Sequence, residues 1–162
     1  MKSSSNSEST EVENHVSLCP FCRIVAGEAK AEIIYEGVSS IAFLDINPIN
    51  FGHALVVSKG HFSDFSELSD DVLCDIVSSL KIVSRAIIDS LHPAGFNIFN
   101  NNGLAAGQSV FHFHFHVAPR YNGDGLKIRT QLKVYESPEQ MAEYAKMIRG
   151  KIEVNDKSGE RK

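Results

Sequence analysis

At 162 residues, with 43% hydrophobic and 22% charged side chains, the chain has the composition of one soluble globular domain with a substantial core, not that of a disordered or membrane protein. No apolar run approaches the roughly 18–20 residues that span a bilayer. A net charge of −4 and a pI near 6.0 argue against a broad nucleic-acid groove, which needs a basic face.

Met1 to Ser17 is Ser-rich and nearly free of large apolar residues, with neither the hydrophobic centre of a signal peptide nor the arginines of a transit peptide. A disordered tail is expected there. With no export signal and only three cysteines, a reducing, cytoplasmic setting is the expectation. Cys19-Pro20-Phe21-Cys22 then admits three readings: half a zinc site, a redox pair, or coincidence. Zinc needs four ligands, so two more must come from elsewhere. Phe21, Ile24 and Val25 suit a short helix ending at Gly27, a suitable C′ glycine.

Ile33–Glu36 and Ser40–Leu44 read as a hairpin around Gly37. Asp45 follows; its carboxylate offers two acceptor oxygens to a ligand, or opens a turn before Asn47-Pro48. Gly52-His53 leads into a strand, Ala54–Val57, and a lone histidine such as His53 is more often structural than catalytic. Ser69 caps a long helix whose first turn carries Asp70 and Asp71 and whose core stripe is Val72, Ile76, Leu80, Val83 and Ile87. Cys74 lies off that stripe. Leu91–Gly95 breaks the helix, with His92 exposed in the loop. Phe96–Asn100 is a strand leading into a polar loop, Asn100-Asn101-Asn102-Gly103 and Ala105-Ala106-Gly107-Gln108-Ser109, of the kind that brings backbone N–H groups and short hydroxyls to an anion.

Phe111-His112-Phe113-His114-Phe115-His116-Val117 comes next. At the two-residue period of a strand, His112, His114 and His116 form a file about 6.6 Å apart, over a floor of Phe111, Phe113, Phe115 and Val117. Two histidines at i and i+2 can hold one metal, yet no Asp or Glu interrupts this face to neutralise an ion. Pro119-Arg120-Tyr121 closes the strand. After the Asn122-Gly123-Asp124-Gly125 turn, Ser137-Pro138-Glu139 starts a helix expected to reach about Arg149, and Asn155–Lys162 is a charged tail.

His112-Phe-His114-Phe-His116-Val-Ala resembles the His-x-His-x-His-x-x signature of the histidine triad family, in which each x is hydrophobic. Cys19–Glu28, Ala42–Ile46, Gly52–Val57 and Gly107–Val110 are similar to further blocks of that family, in family order, so the resemblance covers Leu18 to Tyr121. It implies a triad domain over 18–121, between the disordered tail expected over 1–17 and a C-terminal extension over 122–162 with its helix expected near 138–149. The elements themselves read as α+β with an antiparallel sheet; the family adds five strands, one long helix, one or two short helices, and pairing as a homodimer.

The resemblance also implies the site. His114 is the expected nucleophile at the α-phosphorus of an adenosine nucleotide, giving a nucleotidyl-histidine that water opens. His116 and Ser109 are expected to help the leaving group or contact phosphoryl oxygens, with His112 completing the triad and Gln108 and the Gly107 backbone as further donors. Asp45 is expected on the ribose, Asn101 near ribose and phosphate, Phe21, Ile24, Phe43 and Ile46 around the base, and His53 behind the triad. A structural zinc is implied at Cys19, Cys22, His61 and His112, and no catalytic metal, nucleic acid or membrane partner. His116, where transferring branches carry Gln, favours hydrolysis. Pro119-Arg120 is similar to the branch cleaving dinucleoside polyphosphates, whereas the N-terminal block resembles the phosphoramidate hydrolases, so the leaving group stays open. The competing readings are a non-catalytic AMP-binding module and a metal-storing site.

Overall fold

The computed structural model describes residues 19–126 and 133–158. The tail expected over 1–17 lies outside them, as do residues 159–162. The chain falls into two compact units, Met1–Gly125 and Leu126–Lys162.

The first unit is a five-stranded antiparallel sheet in the order β1-β2-β3-β5-β4. Its strands are β1 (Ile33–Glu36), β2 (Ser40–Leu44), β3 (Ala54–Ser58), β4 (Gly95–Phe99) and β5 (His114–Arg120), with a short helix α1 (Pro20–Val25) ahead of them and a 22-residue helix α2 (Asp70–Leu91) between β3 and β4. The hairpin of β1 and β2 has the expected bounds.

Alternation along the strands sorts side chains onto two faces. Ala42, Ala54, Val56 and Val117 pack with Phe113 against Ile76, Leu80, Val83 and Ile87 of α2. Ile41, Phe43, Leu55 and Val57 point the other way and pack with Cys19 and Phe21 of the α1 segment. Because both faces are covered, β3 is buried at all five positions. Each fully buried Val, Ile or Phe contributes about 1.5–3 kcal/mol relative to exposure. The α2 stripe is the one expected, with Val72 partly buried at its start. Ser69 precedes it in extended conformation without a side-chain cap bond; Asp70 and Asp71 stand at its positive end. His92 ends it in the left-handed region (φ 46°), its N–H returning to the Ile88 carbonyl.

One polar latch ties the hairpin turn to α2. Asp75 Oδ2 accepts from Ser39 N (2.9 Å) and Ser40 Oγ (3.2 Å), and Ser40 Oγ also meets Ser79 Oγ at 2.7 Å. A Cβ on Gly37 would stand 2.7 Å from both hydroxyls, so the turn needs glycine for space. Gly52 is constrained twice: φ is +87°, and an added Cβ would collide with Leu91 Cδ1.

The strand expected over 111–117 starts only at His114. The Phe113 carbonyl still takes Ser58 N–H in register, but Phe113 N–H donates to the Phe62 carbonyl at 2.6 Å instead of returning to β3, and regular pairing ends there. His112 therefore leaves the file, and Phe111, 46% exposed, is no part of the aromatic floor. In the second unit, α3 (Pro138–Ser158) runs nine residues beyond the expected end, into the stretch read as a charged tail. Ser137 Oγ accepts Gln140 N–H, and Gln140 Oε1 reaches back to Glu136 N–H, a variant of the capping box.

Candidate active site and metal centre

The register of β3 with β5 sets Val57 opposite His114 and Leu55 opposite His116, so both imidazoles lie on the α1 face. Their rings are 4.8 Å apart, and the edge of Phe21 meets His114 at 5.1 Å. Phe99 of β4 stacks on His116 at 4.4 Å. His114 is 4% exposed, and its Nδ1–H donates to the His112 carbonyl at 2.6 Å, which leaves the lone pair on Nε2. Among the described residues no buried side-chain nitrogen or oxygen lacks a partner, so this unpaired Nε2 is open to solvent. Burial holds the imidazole below its ordinary 6.5, opposed by its backbone bond and by Asp45. His116 is pushed down to about 4, by burial first and then by its neighbours His114 and His53. Both rings are neutral near pH 7.

Behind His116 stands His53, 2% exposed, its Nε2 3.1 Å from His116 Nδ1. Asp45 lies on the far side: Oδ2 is 3.5 Å from His53 Nδ1, and Oδ1 accepts Asn47 N–H at 2.8 Å. The residue thus makes the turn and faces the histidines at once. Phe21 and Phe43 meet edge to face at 5.6 Å, and Ile24 packs beside them. Ile46 stands apart, 91% exposed on the turn after β2.

The polar loop is knitted from within. Gln108, 3% exposed, accepts Gly103 N–H and donates to the carbonyls of Ser63 and Val110. The N–H groups of Ala106, Gly107 and Gln108 return to carbonyls of residues 103 and 104. Ser109 is exposed, and neither its hydroxyl nor its N–H is tied into these loop bonds. Asn101 reaches the Gly107 carbonyl at 3.5 Å. Its neighbour Asn100, at the start of the same polar stretch, donates to the His114 carbonyl at 2.7 Å and holds the strand that carries the nucleophile candidate. Arg120 is braced by Asp124 through Nε and Nη2 and by Asn97 through Nη1.

His112 turns from this site toward a second one. Its Nδ1 lies 3.3 Å from Cys19 Sγ and 3.4 Å from Cys22 Sγ, and His61 Nδ1 lies 3.2 Å from Cys22 Sγ. A tetrahedral zinc with ligands at its usual bond lengths separates S from N by about 3.5 Å. The donor set therefore fits zinc with small adjustment, and the four residues are those the resemblance implies. His112 Nε2–H donates to the Ser58 carbonyl at 2.8 Å, which aims the Nδ1 lone pair at the sulfurs. Burial and the adjacent Cys19 push the Cys22 thiol up to about 12, so its thiolate needs a cation's charge to form.

Residues 26–123 match the family model described as the HIT domain. An uncharacterised HIT-like protein of Methanocaldococcus jannaschii is 49% identical over 112 residues, covering 69% of this chain and 86% of that one. The adenosine 5′-monophosphoramidase hnt1 of Schizosaccharomyces pombe is 43% identical over 64% of this chain and 75% of its own length. The adenylylsulfatase HINT3 of Arabidopsis thaliana is 36% identical over 74% of this chain, which spans 59% of that longer protein. A HIT family crystal structure from Bacillus anthracis superposes with a TM-score of 0.74 at 36% identity, covering 83% of this chain and 96% of that one. A zinc-bound histidine triad protein from Mycobacterium smegmatis has a TM-score of 0.65 at 39% identity, over 73% and 86%. With two of its three signature histidines on β5 and the third just before it, its five-stranded sheet and a family match over most of the first unit, the chain belongs to the HIT domain family.

Proposed function

We infer that the protein hydrolyses adenosine nucleotides at the α-phosphate. The observation that carries this reading is the locked tautomer of His114, with a neutral, solvent-reaching Nε2 lone pair beside a second neutral imidazole. Nε2 attacks the α-phosphorus, the bond to the leaving group breaks with its electron pair, and the leaving group takes up a proton from neutral His116, which the attacking water of the second step returns. Water then opens the P–N bond, releasing AMP and restoring the imidazole. The protein's contribution is in-line positioning and hydrogen bonds to the equatorial oxygens, from His116 and from the hydroxyl and N–H of Ser109. Phe21, Ile24 and Phe43 wall the base, and Asp45 Oδ2 takes the ribose.

The named relatives, a monophosphoramidase and an adenylylsulfatase, support a small leaving group on the phosphorus. Arg120, committed to Asp124 and Asn97, adds no argument for a long polyphosphate. Zinc at Cys19, Cys22, His61 and His112 would be structural: when bound it supplies the charge that lets the thiols ionise and clamps α1 to the segment before β5. No helix among the described residues is long and apolar enough to cross a membrane, and a cytoplasmic setting is part of the same reading. A homodimer is supported by the free edge of β4, which exposes Phe96 and Ile98.

Incubation with adenosine 5′-phosphoramidate, adenylyl sulfate and diadenosine polyphosphates tests the reading. AMP release that disappears in His114→Ala is expected. Tight AMP binding without release from any of them would instead make the protein a binding module.

A further inference from the structure

Strand β4 stops short of the nucleophile candidate. Facing residues of an antiparallel pair alternate between exchanging backbone hydrogen bonds and exchanging none. Ser58 N–H reaches the Phe113 carbonyl, so Val57 and His114, one step along, exchange none, and the N–H and carbonyl of His114 face the β4 side. There β4 has already ended at Phe99, opposite His116. A side chain takes over: Asn100 Nδ2 donates to the His114 carbonyl at 2.7 Å. Asn100 Oδ1 accepts from Asn102 Nδ2, and Asn102 Oδ1 accepts Phe65 N–H at 2.9 Å. The direction of this line is fixed at both ends, because a backbone N–H only donates and a carbonyl only accepts. Both amides are thereby committed. Asn101 between them reaches the Gly107 carbonyl only at 3.5 Å, beyond ordinary N–H···O range.

The line ends on the segment Ser63–Phe65, which also holds the far end of the polar loop. Gln108 Nε2 donates to the Ser63 carbonyl at 2.7 Å, while Gln108 Oε1 accepts Gly103 N–H. We propose that Asn100 and Asn102 are positioning residues, which tie the carbonyl of His114 and the loop bearing Ser109 to this one anchor and so fix the nucleophile against the donors to the phosphoryl oxygens. The kinetic half of the proposal rests on the hydrolase reading of the site. Cutting the line leaves in place the apolar wall and Asp45, the groups proposed for base and ribose, but lets His114 and Ser109 drift relative to one another. In-line attack tolerates little drift, a misplacement of about 1 Å costing about 100-fold in rate. The rate constant kcat therefore falls while KM holds, the reverse of what loss of a binding contact gives.

Asn102 is exposed, so Asn102→Ala keeps the fold and cuts the line at its outer end. Asn100→Leu has nearly the bulk of the amide and bonds neither neighbour. With adenosine 5′-phosphoramidate, kcat should fall about 10-fold in Asn102→Ala and about 100-fold in Asn100→Leu, with KM within about threefold of wild type. Because the two amides form one line, the double variant should match Asn100→Leu alone, whereas independent losses would multiply. Imidazole ¹H–¹⁵N NMR of the full chain follows His114 without turnover. Exchange of its Nδ1–H with water should quicken at least about tenfold in Asn100→Leu, and by less in Asn102→Ala, at a melting temperature near that of the wild type. Unaltered kcat, a rise in KM alone or multiplying losses in the double variant overturn the proposal, as does unaltered His114 exchange in both folded variants. Should the wild type release no AMP, the hydrolase reading falls and the kinetic half with it, while the exchange measurement by itself decides whether the line holds His114.

Discussion

The backbone carbonyl of His112 pins the ring of His114, accepting its Nδ1–H at 2.6 Å. A side-chain acceptor can rotate away; this one is fixed by the chain two residues earlier. The neutral ring is therefore held with its proton on Nδ1 and its lone pair on Nε2. His114→Ala is expected to lower kcat at least about 10³-fold with the circular dichroism spectrum unchanged, since the neighbouring strand pairing is backbone-made. Turnover within about tenfold of wild type would remove this ring from the chemistry.

The pH profile follows from the same ring. Burial lowers the His114 pKa beneath 6.5, so the neutral nucleophile persists below that pH. The acid limb of kcat/KM should therefore fall below pH 6.5, not at or above it, when rates are measured from pH 4 to 9.

Acid stability carries a matching sign. His116 has an ordinary pKa of 6.5 when unfolded and about 4 in the fold, so the unfolded chain binds more protons between those values. Its contribution is complete above pH 6.5 and is lost as pH falls toward 4. For this partly exposed ring, the loss is about 1–2 kcal/mol after solvent screening. Urea unfolding at pH 7 and 4.5 should show a smaller gap in His116→Asn than in the wild type.

Purified protein should contain one zinc per chain by elemental analysis. Cys22→Ser should lose it and lower the melting temperature, because removing one ligand leaves three donors converging on no ion. A metal content and melting temperature identical to wild type would speak against the cluster as a zinc centre.

Gly52→Ala is expected to destabilise the first unit by about 2–4 kcal/mol. The left-handed backbone and the collision with Leu91 both contribute, and denaturant midpoints measure the sum.

Much of this arrangement can be read from the residues. The period of two placed Phe113, Phe115 and Val117 opposite His114 and His116, and the period of 3.6 picked out the α2 stripe. Both periods report which side faces the core, and that is what the fold obeys. What they cannot report is where pairing stops. His112 leaves the strand because Phe113 N–H bonds to Phe62, a partner 51 positions earlier with no side-chain signature. The same holds for the carbonyls of Ser58 and His112 and the N–H of Ile49, which orient three of the histidines: every residue carries such groups, so none stands out. The overrun of α3 past Arg149 has a simpler cause, since after Gly150 no further glycine or proline interrupts the chain before Gly159.

Phe21 lies between Cys19 and Cys22 in the chain and presses its edge on His114. A six-residue helix has almost no stability of its own, so the wall proposed for the base would be only as firm as the metal clamp proposed beneath it. A relative that gave up its cysteines would have to secure that aromatic ring by other means, such as added apolar bulk around the same turn, or accept a looser grip on its nucleotide.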